Sequence, residues 1–284
     1  MSPAEAPGQS TTHHTLQEIA NHGRMKRLDL TLSTAAENVA LDEALLEAAE
    51  TARGTGKSLT GVLRFWEPAA PLVVIGRSSR AAEEARLDVC ARFGAPVVRR
   101  ASGGAAIVSG PGCLMYALIL SYEEFPALRS IDVAHRFVLG RMVSGLQTIF
   151  SGVACRGTSD LVISGASAAP SLEGEPKASD KKFSGNSVRC KRGHLLYHGT
   201  LLYDFDLSLV EQLLATPPRQ PAYRAGRSHG QFICNIPATA DQLRATISAA
   251  WNAEGPLDDW PQAETARLAV EKYARDEWNL DGTI

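Results

Sequence analysis

No run of apolar residues in the 284-residue chain approaches the roughly 20 needed to span a bilayer. The first 27 residues are polar and lack the apolar core of a secretory signal. Both absences predict a cytoplasmic protein that does not engage a membrane. Cysteine is scarce. Cys90, Cys113, Cys155, Cys190 and Cys234 are odd in number and widely spaced, with no Cys-x-x-Cys pair. A disulfide framework and the usual zinc spacings are therefore excluded. Neither sign of charge dominates, since the formal net charge is −2. Charge thus gives no reason to expect nucleic acid as a partner.

What is present is an ordinary globular composition, with 44% hydrophobic and 21% charged residues. Residues 1–24 lack periodicity and read as a disordered extension. From there strands and helices are interspersed. Lys26–Leu32 alternates as a strand, and Thr34 caps a helix running to Ala52. Strands follow at Gly61–Trp66, Leu72–Ile75 and Pro96–Arg99, with a helix at Ala81–Phe93 between the last two. Leu114–Ser121 reads as a strand, Val133–Phe150 as a helix, and Asp160–Ile163 as a strand. A Ser-, Ala- and Pro-rich insertion at 164–179 precedes a strand pair, Lys182–Cys190 and Leu195–Tyr203. A short helix at Asp206–Ala215, a stiff Pro217–Pro221 loop, Cys234 in a strand core, and helices at Ala240–Trp251 and Glu264–Trp278 complete the chain. The interspersed order with hairpin spacing predicts an α+β protein built on a mixed, mainly antiparallel sheet flanked by helices.

The segment Arg99-Arg100-Ala101-Ser102-Gly103-Gly104-Ala105-Ala106-Ile107-Val108 carries the strongest chemical signal. Its glycines let a ligand approach the main chain, and its amides with Arg100 suit an anion. It matches neither the Walker pattern nor Gly-x-Gly-x-x-Gly. Lys182 precedes a small-residue stretch, where an ammonium can stabilise a developing oxyanion. His198, Gly199 and Thr200 interrupt an otherwise apolar strand, and its polar groups there need partners.

These segments, in order, resemble the lipoate–protein ligase and octanoyltransferase family, which shares its catalytic fold with biotin–protein ligases. The likeness runs from Asn38–Glu43 through Arg64–Trp66, Val74–Arg77, Arg99–Gly104, Gly157–Asp160, Lys181–Asn186 and His198–Leu202 to Glu277–Asn279. It implies one class II synthetase-like catalytic domain over residues 25–284, without a separate accessory domain, and an acyl tunnel beside the glycine loop. It implies that Arg100 contacts an acyl-adenylate phosphate and that Ser102–Val108 cover the acyl group and nucleotide. Lys182 then contacts the activated carboxyl, Asp160 lies near the nucleotide or its Mg²⁺, and His198–Thr200 line the pocket.

The activity implied is attachment of lipoate, through lipoyl-AMP made from ATP, to a lysine of a lipoyl carrier domain. The carriers are those of 2-oxoacid dehydrogenases or the glycine-cleavage H-type protein. Ala105, Ser109 and Gly110 depart from the ligase pattern, as does Gly157-Thr-Ser-Asp160. These departures motivate an alternative, octanoyl transfer from acyl carrier protein through a thioester on Cys155, or secondarily Cys113. A reading of another class is a non-catalytic acyl-carrier-binding protein. Removing residues 1–24 is expected to leave activity intact; a measured loss contradicts the reading of that segment as an extension.

Overall fold

A computed structural model describes residues 25–53, 61–164, 179–216 and 220–283. The predicted extension at 1–24, most of the 164–179 insertion and part of the Pro217–Pro221 loop lie outside these residues. The strands are β1 (Met25–Asp29), β2 (Gly61–Trp66), β3 (Leu72–Ile75), β4 (Val97–Arg99), β5 (Ile107–Ser109) and β6 (Cys113–Ser121). They continue with β7 (Val153–Arg156), β8 (Asp160–Ile163), β9 (Lys181–Cys190), β10 (His194–Leu202) and β11 (Ala253–Pro256). Eight of them form one sheet in the order β11-β1-β2-β6-β10-β9-β8-β7, and β4-β3-β5 form a second. In the large sheet the pairs of β1 with β11 and with β2 are parallel, and the other pairs are antiparallel. The predicted α+β class with a mixed, mainly antiparallel sheet is the one observed.

The helices are α1 (Ala35–Ala52), α2 (Ala81–Glu84), α3 (Leu87–Phe93), α4 (Ile131–Leu146), α5 (Ser208–Leu213), α6 (His229–Phe232), α7 (Ala240–Ala250) and α8 (Gln262–Leu268). β6 explains how they are layered. Its nine residues are all buried, so alternation sends side chains into separate cores. Leu114, Tyr116, Leu118 and Leu120 pack with Val138 and Met142 of α4 and Leu243 and Ile247 of α7. On the opposite face Ala117 and Ile119 meet Leu41, Leu45 and Leu46 of α1. Cys113 and Met115 join a third cluster that surrounds the small sheet.

Three expectations need correction, and three strands are new. The helix predicted over Ala81–Phe93 is broken, because Ala85 bridges Leu214 and the Arg86 amide donates to the Leu213 carbonyl. Both bonds require extended backbone at the break. The predicted C-terminal helix ends at Leu268 and continues as wide π turns, Ala269–Tyr273 and Glu277–Asp281. Cys234 is half-buried beside an isolated bridge between Ile233 and Lys182, not in a strand core. The short strands β5, β7 and β11 were not predicted; each has only three or four residues, too few for alternation to register.

The start of α1 is as predicted. Thr34 accepts from the Glu37 amide, and Glu37 reaches back to the Thr34 amide, closing a capping box. Thr34→Ala is expected to cost about 1 kcal/mol of stability. Chemical denaturation checks this, and an unchanged midpoint contradicts it.

Candidate active site

A cavity of about 260 Å³ opens between α1, the glycine turn after β4, and strands β9 and β10. A second, of about 140 Å³, lies on the other side of Ala105–Ile107, under α5 and α6. Both are lined by Lys182, Gly185 and Thr200, so the two meet at Lys182.

A bulge in β9 puts Lys182 there. Asp160 pairs with Gly185 and Leu161 with Ser184, but Val162 pairs with Lys182, leaving Phe183 as the extra residue. Strict alternation places Lys182 and Gly185 on opposite faces. The extra residue brings them to the same face, opposite Asp160. Lys182 Nζ then lies 2.7 Å from Asp160 Oδ1. A Cβ on Gly185 would stand 2.8 Å from that Nζ, so the glycine makes room for the ammonium. The other Asp160 oxygen accepts from the Tyr223 hydroxyl at 2.7 Å. Burial and the facing Asp160 raise the Tyr223 phenol well above its ordinary range, which keeps it a donor.

The glycine turn is held from beneath. Arg99 is buried and donates to the carbonyls of Gly76, Arg77 and Ser79 on one side. On the other it donates to those of Trp278, Asn279 and Leu280. The C-terminal turn is thus bound to the back of the site. Gly104 has φ +90°, and a Cβ on Gly76 would fall 1.9 Å from its carbonyl oxygen. Both positions require glycine.

A line of hydrogen bonds fixes the turn against β10 and α1. Ser102 Oγ lies 2.5 Å from His198 Nε2, and His198 Nδ1 lies 3.0 Å from Asp42 Oδ2. Asp42 Oδ1 accepts from the buried Arg64 at 2.5 Å. A carboxylate accepts only, so His198 donates from Nδ1 to Asp42. Beside this line the Asn186 side chain spans to Tyr116, which donates to Asn186 Oδ1 at 2.5 Å. A Cβ on Gly199 would lie 1.9 Å from that oxygen.

The predicted site residues are largely brought together. Arg100, Gly104, Ala105, Ala106, Ile107, Asp160, Lys182, His198, Gly199 and Thr200 line the first cavity, and Val108 lines the second. Ser102 and Gly103 line neither cavity: Ser102 is buried, and Gly103 is exposed and accepts from Ser187 Oγ at 2.7 Å. Several assignments change. Arg100 borders the cavity, but its guanidinium donates to the carbonyls of Val74, Gly103 and Ala105 and to Ser102 Oγ. It is first a staple of the turn; burial pushes it down to about 10 against the pull of Glu84, so it stays charged at neutral pH. The loop amides are also not all free for an anion, since Ala106 N–H donates to Glu84 Oε2 at 2.6 Å.

A protein-held Mg²⁺ does not fit. Both Asp160 oxygens are engaged, and no cluster of three His, Cys, Asp or Glu side chains suited to a metal occurs among the described residues. Cys155 lines neither cavity. It packs against the core, and burial pushes its thiol up to about 11, against the pull of Arg156. Cys113 is fully buried, and its thiol is pushed up to about 12 by that burial.

Asp42, Trp66, Asn186, Glu84, Tyr223 and Arg224 also line or support the cavities, with no role for them evident in the sequence. The first three lie inside segments that carry the family likeness. A carboxylate at Asp42, on the apolar side of α1, was the clearest signal available. Burial alone would raise its carboxyl, but Arg64, reinforced by His198, outweighs this and holds Asp42 below the usual carboxylate range. A carboxyl lowered on folding adds stability above its unfolded value, near 4, and loses it as pH falls through the folded value. Acidification below about pH 4 is therefore expected to destabilise the wild type more than Asp42→Asn. Equal acid-induced losses in denaturant titrations contradict this.

Residues 34–250 match the family model of the lipoyl protein ligase A/B catalytic domain. Octanoyltransferase LipM of Brevibacillus brevis is 28% identical over 269 residues, covering 86% of this chain and 94% of that protein. LipM of Clostridioides difficile is 29% identical over 266 residues with the same coverage. Among solved structures, the bi-partite lipoate protein ligase of Thermoplasma acidophilum, studied with its E2 lipoyl domain, superposes with a TM-score of 0.73 at 21% identity. That match covers 93% of this chain and 98% of the other. A lipoate-protein ligase A bound with ATP gives 0.69 at 20%, covering 92% and 100%. These two likenesses bear on the fold. The match to the family model spans most of the chain, and the chain belongs to the lipoyl protein ligase A/B catalytic-domain family.

Proposed function

We propose that this protein is a lipoate–protein ligase that activates the acid as an adenylate and passes the acyl group to a carrier lysine. One observation carries the reading: none of the five cysteines lines either of the two cavities that meet at Lys182. A two-part ligand suits that arrangement, with the acyl chain in one cavity and the leaving group in the other. Val39, Trp66, Val74 and Met115 give the first cavity the apolar wall an acyl chain needs.

In the first step a carboxylate oxygen of lipoate attacks the α-phosphorus of ATP, and the bond to the β-phosphate breaks, releasing pyrophosphate. In the second, the neutral amine of a lipoyl-domain lysine attacks the acyl carbonyl. The C–N bond forms, the C–O bond to AMP breaks, and AMP departs with the electron pair. Lys182 sits at the junction, where its ammonium offsets the charge that grows on the carbonyl oxygen. Asp160 orients Lys182, and the proton the amine sheds leaves to solvent. Holding both reactants across one junction supplies much of the acceleration.

A second reading is octanoyl transfer from an acyl carrier protein to the lipoyl domain. The names of the near full-length relatives favour it. In that reading the core-packed Cys155 must leave its place to reach the donor.

A mass-shift assay on an apo lipoyl domain separates the two. One arm holds lipoate, ATP and Mg²⁺; the other holds octanoyl-carrier protein without ATP. The ligase reading expects acylation in the first arm, retained when all five cysteines are replaced by serine or alanine and abolished by Lys182→Ala. Acylation confined to the second arm and lost in Cys155→Ser overturns it.

A further inference from the structure

The second cavity holds a charge that its surroundings do not answer. Arg224 lines this cavity and is only 5% exposed. Its Nε donates to the Arg227 carbonyl at 2.9 Å, and its guanidinium lies over the Phe232 ring at 5.0 Å. Neither contact brings negative charge. Among the described residues its Nη groups have no acceptor and no carboxylate forms an ion pair with it. Arg227 worsens the balance: it donates back to the Arg224 carbonyl at 3.0 Å, bringing like charge close. Burial and Arg227 push the Arg224 guanidinium down.

The other polar groups of the wall do not compensate. Glu84 accepts the Ala106 amide, and its charge acts on Arg99 and Arg100. Lys182 is paired with Asp160. Burial and the nearby Arg224 lower the His229 imidazole, against the pull of the Ala215 carbonyl and Glu211. A buried guanidinium without a partner is costly, and such a group in a cavity wall marks the place of an anion.

We propose that Arg224 holds a phosphate ester in the second cavity, the phosphate of the acyl donor's leaving group. This rests on the reading of the two cavities as the two halves of one donor. A guanidinium presents paired N–H donors that match a phosphate. The apolar walls, Val108, Leu202, Phe232 and Ile233, take the uncharged part beside it. The same short turn, Ala222–Arg224, carries Tyr223, which holds Asp160 and through it Lys182. One turn therefore sets both the phosphate contact and the ammonium at the junction. The phosphate has two sources of the same chemistry, a nucleotide or the phosphopantetheine arm of a thioester donor.

The test is calorimetry on the full chain with AMP, 4′-phosphopantetheine and lipoate as separate probes. Arg224→Met keeps the length of the side chain without its charge. It is expected to weaken the phosphate probe by about tenfold or more while lipoate binding stays unchanged. The ligand-free variant is expected to melt at a higher temperature, because an uncompensated buried charge is gone. Arg224→Lys is expected to bind the phosphate probe with intermediate affinity, and it carries the same test if the methionine variant does not fold. A loss confined to AMP assigns the nucleotide; a loss confined to phosphopantetheine assigns the carrier arm. Phosphate probes that bind Arg224→Met as tightly as the wild type, or that do not bind the wild type, overturn the proposal. Absence of acyl transfer from either donor by the wild type is a different failure, that of the functional reading, and leaves the phosphate measurement standing.

Discussion

The ion pair between Arg64 and Asp42 is the fixed point from which the rest of the site is positioned. It is fully buried between α1 and β2, so it cannot slide or hydrate. Arg64 also donates to the carbonyls of Leu30 and Asn38, which ties the pair to the backbone on both sides. From Asp42 the constraint passes to His198, from His198 to Ser102, and from Ser102 to the glycine turn. Each link leaves the next group one satisfied orientation, which is how a buried polar network specifies geometry. Arg99 holds the same turn from behind through the C-terminal carbonyls. The turn that separates the two cavities is therefore clamped between a buried salt bridge and the last turn of the chain.

Lys182 is positioned by a different device. A single extra residue in β9 changes the phase of the strand, and the ammonium arrives opposite Asp160. Tyr223 completes the set from a loop remote in sequence. The two devices divide the work: the network shapes the wall, and the bulge aims the group at the junction.

Much of this was legible in the sequence. The apolar runs Leu114–Ser121 and Gly61–Trp66 announce central strands, and their positions hold to within a residue. Thr34 announces the start of α1. Lys182, His198 and the Ser102–Val108 turn could be singled out because glycine and polar residues in apolar strands are physically anomalous. What was not legible depends on contacts distant in sequence. The break at Ala85 needs Leu214, and the engagement of Arg100 by nearby carbonyls follows from the closed shape of the turn. The bulge at Phe183 leaves no trace in composition, and that no carboxylate among the described residues pairs with Arg224 is visible only when the cavity around it is assembled. Cys155 illustrates the limit from the other side: a thiol close in sequence to Asp160 packs into the core behind it.

The central claim is that acyl transfer here proceeds through a mixed anhydride held at Lys182, with no covalent bond to the protein. Intact-mass measurement of the enzyme, acid-quenched during turnover with lipoate and ATP and without acceptor, tests it most directly. The account predicts an unshifted protein mass together with released lipoyl-AMP. A protein carrying one acyl group, labile to hydroxylamine, would contradict it.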